Sequence, residues 1–340
     1  MKKMIAIILA ISLLMGCAVS EAESEMKQYQ ATFLDLFDTV TTIIGYAQTE
    51  EEFEEITNDI YAKLERYHQL FDIYHEYEEN NIKTINNQAG IGAVKVDREI
   101  IELLLDCKEY YKATQGKVNV AMGSVLQLWH EAREAGMNQP KEAYLPDEEA
   151  LKEAALHCNI EDVVIDEAAS TVYIKDPRLR LEVGAVAKGW ATERVCRESP
   201  KGLLVSVGGN VRVTGPKPEE KPWIVGIQSP WEDNSEYVHT LCVKQESVVT
   251  SGDYQRYYNV GSEKYHHIID PETLYPGKKW KAVSVVCEDS GLADALSTAL
   301  FLLSKEEGQK LLEKYSAFAC WIDSEKEIYY SKGFESFIKR

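Results

Sequence analysis

Two polar segments in the last third of the chain carry residue types that phosphate chemistry uses. The first runs from Thr250 to Pro271 and contains a glycine turn, two adjacent imidazoles (His266 and His267) and a carboxylate. Imidazoles suit proton transfer because their ordinary pKa lies near neutral pH. Adjacent residues of a strand point to opposite faces. We therefore expect one histidine to face the interior or a cleft and the other to face solvent.

The second segment groups oxygen ligands on one side of a helix. Asp294, Ser297 and Thr298 recur at positions i, i+3 and i+4 in an otherwise apolar stretch, so they share one helix face. Grouped carboxylate and hydroxyl oxygens suit a hard divalent cation. The alternative is a face of small polar residues that bond back to the backbone. Together the two segments predict a metal-assisted reaction on a phosphate-containing substrate.

The elements that must position these segments predict an α+β fold. Residues 33–47, rich in Thr, Val and Ile, indicate a long strand or a strand pair, and short β-rich runs dominate from Val163 onward. Helical periodicity extends over residues 50–74, 97–114, 126–135, 147–156, 188–196 and 292–303. Helices grouped early and an antiparallel-rich sheet later are the α+β pattern, not the βαβ alternation of a Rossmann fold. No Pro/Ser/Gly-rich linker divides the chain, which favours one domain.

Two glycine-containing turns are further candidates for ligand contact. Leu181–Gly189 indicates a strand, a small-residue turn and a helix whose first turn carries Lys188. Backbone groups and positive charge placed in this way suit a phosphate, but a plain strand–helix connection with a surface lysine has the same sequence. Ser206–Asn210 ends a strand with a glycine pair, which suits close ligand approach or an ordinary hairpin turn.

The N-terminus predicts export and lipid attachment. Lys2 and Lys3 precede a short apolar run, and Leu14-Met15-Gly16-Cys17 is similar to a bacterial lipobox. The run is too short to span a bilayer comfortably and is typical of a signal segment. We predict a lipoprotein signal peptide over 1–16, a tether over 17–30 after lipidated Cys17, and one catalytic domain over 31–335. The alternative is an ordinary signal peptide with an incidental cysteine.

Charge and cysteine spacing exclude several classes of function. The formal net charge is −19, and loss of residues 1–16, which carry two lysines and no acid, makes it −21. Such a chain is a poor match for nucleic acid or for anionic lipid surfaces. The six remaining cysteines are scattered without zinc spacing, so we expect no structural zinc. A phosphate ligand therefore requires a local positive site.

Taken in chain order, these motifs and several others resemble those of the FAD:protein FMN transferase family, the flavin transferases of the ApbE type. The resemblance covers residues 31–335. The matching motifs are Phe37–Thr39, Phe71–Tyr74 with Ile85–Asn86, Gly116–Gly123 with Trp129, Glu182–Gly189, Ser206–Asn210, Thr250–Tyr254, His266–Pro271 and Ala293–Leu300.

The resemblance implies that FMN is transferred from FAD to a Thr or Ser hydroxyl of a target protein, with AMP as leaving group and Mg²⁺ required. It assigns His267 as the general base, with His266 the second candidate. The implied metal ligands are Asp294, Ser297, Thr298 and the backbone carbonyl of Ala185. The implied FAD contacts are Phe37, Tyr74, Lys117, Val118, Asn119, Glu182, Lys188, Ser251, Gly252 and Ile269. The implied partner is an electron-transfer protein on the extracytoplasmic face of the cell membrane.

Three departures from the family pattern bear on these expectations. Asn119 and Glu182 stand where the family commonly has Asp, and Thr273–Pro276 lacks the Gly that often follows Thr in this turn. None of these positions is an expected metal ligand. Two other functions stay open: a Mg²⁺-dependent FAD pyrophosphatase that yields FMN and AMP, and a non-enzymatic FAD-binding lipoprotein.

Overall fold

An eight-stranded antiparallel sheet is the framework of the fold. The computed structural model describes residues 26–231 and 236–340. Within them the strands are β1 (Lys27–Leu36), β2 (Thr39–Ala47), β3 (Val94–Lys95), β4 (Val163–Asp166), β5 (Thr171–Ile174), β6 (Leu204–Val207), β7 (Asn210–Val213), β8 (Trp223–Gln228), β9 (Tyr237–Val243), β10 (Ser247–Gly252), β11 (Tyr257–Val260), β12 (Glu263–His266), β13 (Ala282–Cys287), β14 (Phe318–Ile322) and β15 (Ile328–Tyr330). The large sheet has the order β1-β2-β6-β7-β10-β13-β14-β15, and each neighbouring pair is antiparallel.

Several of the helices pack on one face of this sheet. Those in the described ranges are α1 (Glu50–Phe71), α2 (Ile82–Asn87), α3 (Arg98–Ala113), α4 (Gly123–Asn138), α5 (Glu148–Ala155), α6 (Ala187–Glu198), α7 (Ser290–Leu302) and α8 (Lys305–Leu312). Side chains of α1, α6 and α7 share one large core with the sheet. The α+β prediction is confirmed. Across the same ranges, no helix has the length and apolar character needed to cross a membrane.

Local sequence explains where the main helices begin and what they bury. The Thr49 side chain accepts from the Glu52 backbone N–H and caps α1, and Asp97 and Asp289 cap α3 and α7 in the same way. α1 is amphipathic and buries Phe53 with its other apolar residues. α7 is apolar on nearly all sides and is buried along most of its length, as expected of a helix enclosed on every side.

Two smaller apolar clusters complete the molecule. The other face of the sheet packs against the β8–β9 hairpin through Trp223 and Leu241. A separate cluster joins Trp129 of α4, Leu151 of α5 and Tyr258 of β11. The functional cleft described below is lined by residues of this cluster and of the main core, so it lies where the two meet.

The described structure extends the domain at its N-terminal end. β1 begins at Lys27, so residues 27–30, predicted as tether, belong to the sheet. Tyr29 is buried in this segment, and its neighbours Gln28 and Gln30 are polar. Because β1 is an edge strand, such polar residues are tolerated there, and the segment lacks the apolar run that would predict a strand. The predicted signal peptide and Cys17 lie outside the described residues.

Candidate active site

A cleft of about 870 Å³ collects most of the predicted site residues. This volume is within the ordinary range of ligand pockets. The predicted residues that line it are Phe37, Tyr74, Lys117, Val118, Asn119, Glu182, Ala185, Lys188, Ser251, His267, Ile269, Asp294 and Thr298. Gly252 and Ser297 are not among the lining residues. Segments far apart in sequence therefore meet in one place.

His267 has the tautomer that a general base requires. It follows directly after β12, and its Nδ1 lies 3.2 Å from the backbone carbonyl oxygen of Arg256. A carbonyl only accepts, so Nδ1 carries the proton and Nε2 keeps its lone pair. Burial, followed by the charge of Arg256, lowers the pKa of His267 to about 3. The imidazole of the ligand-free protein is therefore neutral throughout the physiological pH range.

The other four histidines that line the cleft are less suited to this role. His266 is buried, donates from Nε2 to the Gly277 carbonyl (2.6 Å) and accepts from the Ile268 N–H at Nδ1. His68 and His130 each accept at Nδ1 from an N–H donor, so the proton of the neutral ring is on Nε2. His75 is bonded to Asp72, and its side chain is 74% exposed. The geometry thus favours His267 over His266.

Asp294 is a buried carboxylate with one oxygen left for a ligand. Its Oδ2 accepts from the Gly189 backbone N–H (2.9 Å) and from Asn210 Nδ2 (2.8 Å). No described residue donates to its Oδ1, although the side chain lines the cleft. Burial raises the pKa of Asp294, and the positive charge of Lys188 opposes this effect. A bound cation would compensate the buried negative charge.

The contact between α6 and α7 explains why Asp294 reaches the cleft. A Cβ on Gly189 would lie 2.4 Å from the Ser290 carbonyl oxygen and 2.5 Å from Asp294 Cβ. Only glycine permits this approach, which brings the Gly189 N–H onto the carboxylate. The structure therefore gives the small-residue turn of the sequence a specific role in holding Asp294.

The hydroxyls next to Asp294 divide into two roles. Thr298 lines the cleft, with its Oγ1 3.5 Å from Ser251 Oγ. Ser297 is fully buried, donates to the Asp294 carbonyl oxygen and lies 2.8 Å from Ser251 Oγ. Ser297, at position i+3, packs against Ser251 of β10, while Thr298, at position i+4, faces the cleft. Ser297 thus positions its neighbours, and Thr298 with Asp294 presents oxygens to a ligand.

The turn before α6 supplies further polar groups. Glu182 Oε1 accepts from the Gly184 N–H (2.8 Å), and Lys188 Nζ donates to the Gly184 carbonyl oxygen (3.2 Å). Burial raises the pKa of Glu182. Ala185 is exposed at the tip of this turn and lines the cleft, so its backbone is accessible to a ligand.

The donor set fits a hard cation that is shared with a phosphate. The described ranges contain no group of three or more His, Cys, Asp or Glu residues arranged to hold a metal. A cation in this cleft would instead have the single carboxylate of Asp294 with neutral oxygens such as Thr298 Oγ1 and a turn carbonyl. Few protein carboxylates, completed by substrate phosphate and water, are typical of Mg²⁺ sites.

The aromatic wall of the cleft is held by Asp72. Its Oδ1 accepts from the backbone N–H groups of Tyr74 (2.5 Å) and His75 (3.0 Å), and its Oδ2 accepts from the Tyr77 hydroxyl. The loop therefore wraps around one buried carboxylate. Tyr74 is 51% exposed and its ring lies 5.4 Å from that of His130. It is placed for stacking on a planar ligand.

The turn between β1 and β2 places a second aromatic ring at the cleft. Phe37 and Asp38 both have a φ of +52°, the backbone of a tight hairpin turn that normally contains Asn or Gly. The Phe37 N–H donates to His68 Nδ1, and the two rings meet edge to face. A non-glycine turn in this conformation carries backbone strain, and here the strain is located at the ligand site.

The remaining predicted contacts are mainly structural in this cleft. Lys117 Nζ pairs with Asp270 and Glu272, each at 2.9 Å. Asn119 donates to the Cys158 carbonyl and accepts from the Ala121 N–H, so its amide is satisfied within the protein. Val118 and Ile269 are buried apolar lining residues.

Gly252, a predicted FAD contact, and the Thr273–Pro276 turn, which departs from the family pattern, each have a local structural explanation. Gly252 lets the Tyr254 ring pack over the end of β10, since a Cβ there would lie 2.4 Å from the ring. Tyr254 lines the cleft, so the effect of Gly252 on the site is indirect. Leu274, in the turn that lacks the family's glycine, has a φ of +63°. It adopts the left-handed backbone that glycine would adopt without strain.

Three further residues belong to the site and were missed in the sequence. Asn210 donates to the Asp294 carboxylate, whereas its sequence motif indicates a role only for the glycine pair that precedes it. Arg133 and Arg256 line the cleft, but single arginines in an amphipathic helix and in a loop carry no pattern. The short separation of Arg256 from His267 in sequence was the one available signal.

The fold and cleft are those of an enzyme that acts on an anionic substrate, because a basic imidazole nitrogen and cationic side chains meet beside a carboxylate suited to a cation. The sequence profile of the ApbE family matches residues 37–322. This match covers most of the chain, and the chain belongs to the ApbE family.

Similar proteins agree with this assignment. A FAD:protein FMN transferase of Klebsiella pneumoniae is 28% identical over 260 residues, covering 75% of this chain and 78% of that protein. One of Treponema pallidum is 27% identical over 342 residues, covering 95% and 92%. The crystal structure of the ApbE protein from Thermotoga maritima has a TM-score of 0.80 at 26% identity, over 92% of this chain and 100% of that chain. The flavin transferase ApbE from Vibrio cholerae, with a TM-score of 0.76 at 21% identity over 92% and 100%, shares the fold.

Proposed function

We propose that the protein transfers FMN from FAD to a hydroxyl of a target protein and releases AMP. The observation that carries this proposal is the presence, in one cleft, of His267 with a free Nε2 and of Asp294 with a free Oδ1. Family membership and curated relatives named FAD:protein FMN transferase support it.

The covalent step balances with the residues present. The target's Thr or Ser oxygen forms a bond to the phosphorus of the FMN half, and its proton passes to His267 Nε2. The bond from that phosphorus to the bridging oxygen breaks, and AMP leaves with that oxygen. The hydrogen bond from Nδ1 to the Arg256 carbonyl holds the ring and stabilises the imidazolium that forms.

The cleft residues bind and orient FAD around this step. Asp294, Thr298 and the backbone carbonyl of Ala185 would hold Mg²⁺, which neutralises charge on phosphoryl oxygens and on the leaving AMP when it is bound. Lys188 adds positive charge beside the diphosphate. Tyr74 and Phe37 provide the aromatic faces for the flavin or adenine ring.

The proposal includes attachment at the extracytoplasmic face of the cell membrane through lipidated Cys17. The support is the N-terminal sequence alone: a basic pair, an apolar run and a lipobox-like Leu14–Cys17 segment. The corresponding partner is an extracytoplasmic electron-transfer protein that carries the accepting Thr or Ser.

Incubation of the purified protein with FAD, Mg²⁺ and a candidate target domain tests the reaction. The expected result is a target mass increase of one FMN less one water, absent in the His267→Ala variant and in EDTA. FMN and AMP formed at the same rate without target would instead identify a pyrophosphatase. Bound but uncleaved FAD with every target would identify a binding protein.

A further inference from the structure

The cationic side chains of the cleft are not equivalent. Four lysines and arginines line it in the part of the chain that the structure describes: Lys117, Arg133, Lys188 and Arg256. Lys117 is paired with two carboxylates, and Lys188 donates to the Gly184 carbonyl. Arg133 donates to His130 and lies 3.9 Å from Glu134. The Arg256 guanidinium alone has no hydrogen bond or ion pair to any described residue.

The backbone of Arg256 is joined to the proposed base. Its carbonyl oxygen accepts from both the backbone N–H (3.1 Å) and the Nδ1–H (3.2 Å) of His267. These two bonds fix the imidazole relative to residue 256, which lies in the short connection between β10 and β11. Arg256 and His267 also line the same cleft, so a ligand can contact both residues at once.

The charge of Arg256 also acts on several groups around the cleft. It opposes protonation of His267, with Lys188 and His266 acting in the same direction, and it favours the ionised form of Glu182. Burial lowers the pKa of His267 most, and the charge of the unpaired Arg256 guanidinium lowers it further. An anion on the guanidinium would cancel this effect.

We propose that the Arg256 guanidinium binds the diphosphate of the dinucleotide substrate and so couples substrate binding to the readiness of His267 to accept a proton. This inference rests on the proposed function for its substrate. A planar guanidinium forms two parallel hydrogen bonds to phosphate oxygens, and that of Arg256 has no partner among the described residues that line the cleft. Burial is the main reason why His267 is a weak base, and the charge of Arg256 adds to this effect. The base gains proton affinity when the diphosphate pairs the charge of Arg256.

Binding measurements with two flavins separate a phosphate contact from a structural role. FAD carries the diphosphate and riboflavin carries no phosphate. We expect Arg256→Gln to weaken FAD binding in EDTA by roughly 10- to 100-fold and to leave riboflavin binding unchanged, with Arg256→Lys intermediate because it keeps charge without the fork. Lys332→Gln, which removes one exposed surface charge, is the matched control and should resemble wild type. Equal weakening of both flavins, or unchanged FAD affinity, overturns the proposal.

The coupling has its own readout in the titration of the His267 imidazole by NMR, assigned with His267→Gln. FAD added without metal should move the titration midpoint to higher pH in the wild type and much less in Arg256→Gln. A midpoint that does not respond to FAD in the wild type refutes the coupling. If Arg256→Gln instead raises the KM for the acceptor protein and leaves FAD binding intact, Arg256 contacts the acceptor.

The binding and titration assays do not depend on turnover. A wild-type protein that transfers no FMN, while Arg256→Gln still distinguishes FAD from riboflavin, contradicts the proposed function and leaves the Arg256 assignment standing. The reverse outcome, transfer with no FAD-specific loss in Arg256→Gln, contradicts only the role of Arg256.

Discussion

Asp294→Asn should make the metal-free protein more stable while it removes the response to Mg²⁺. The asparagine Oδ1 keeps the acceptor for the Gly189 N–H and Asn210 Nδ2, so no hydrogen bond is lost. The substitution removes a buried negative charge whose pKa burial has raised. Removing such a charge stabilises a protein by roughly 1–3 kcal/mol when no cation compensates it.

The expected change in melting temperature follows from the size of the folded unit. An unfolding entropy of about 2.1 cal/mol/K per residue over about 310 residues gives roughly 1.5 °C for each kcal/mol. Asp294→Asn should therefore melt about 2–5 °C higher than wild type in EDTA at pH 8. Mg²⁺ at about 100 times its dissociation constant should raise the wild type by roughly 4 °C and leave the variant unchanged.

The stabilising effect of Asp294→Asn should depend on pH. A carboxyl whose folded-state pKa is raised above its unfolded value destabilises the protein when it ionises, so stability falls as pH rises through the folded-state pKa. The difference between wild type and Asp294→Asn should therefore shrink as pH is lowered below that pKa. Differential scanning calorimetry with and without Mg²⁺ measures both effects, with the exposed substitution Glu325→Gln as control. A variant less stable than wild type in EDTA at pH 8 would refute this reasoning.

Four further outcomes follow from the same geometry. Gly189→Ala should cost about 2–4 kcal/mol of unfolding free energy in urea titrations because α6 and α7 must separate, whereas Gly92→Ala, whose Cβ meets nothing within 4 Å, should cost little. Asp72→Ala should release the aromatic loop and raise the KM for FAD roughly tenfold with a smaller change in kcat; an equal loss in kcat would count against a positioning role. Asp38→Gly should raise stability by roughly 0.5–1 kcal/mol by relieving the +52° φ, and a loss of stability would show that the turn is unstrained. In the ligand-free protein the neutral His267 makes a contribution to the free energy of unfolding that is fully present above about pH 6.5 and is lost as pH falls toward about 3, because its pKa is lowered. His267→Gln should therefore reduce acid destabilisation by roughly 1–2 kcal/mol at pH 5. An unchanged acid transition would contradict that pKa.

Periodicity and motif order predicted the parts of the site that depend on local geometry. The i, i+4 spacing of Asp294 and Thr298 brings both to the cleft because they lie on one side of a regular helix. This relation depends only on the backbone period of a helix, which a single sequence carries. The expectation that one of His266 and His267 faces solvent is not met, because β12 ends at His266 and both side chains line the cleft.

The parts that the sequence could not predict depend on long-range packing. Ser297 shares the helical face of Asp294, yet α7 is enclosed on both sides and Ser297 packs against Ser251. Lys117 is neutralised by Asp270, which lies 153 positions further along the chain. No described residue forms a hydrogen bond or ion pair with the Arg256 guanidinium. Which charged groups pair with one another depends on the folded structure, so the sequence alone does not show it.

Under the proposed lipid attachment, the first strand would limit how far from the membrane the reaction can occur. If Cys17 carries the lipid as proposed, the ten residue steps from Cys17 to Lys27 extend at most roughly 35 Å. β1 has ten residues and adds roughly 30 Å before the chain reaches Phe37 at the cleft. The cleft would thus operate within roughly 65 Å of the bilayer surface, and a target protein would need to present its hydroxyl inside that layer.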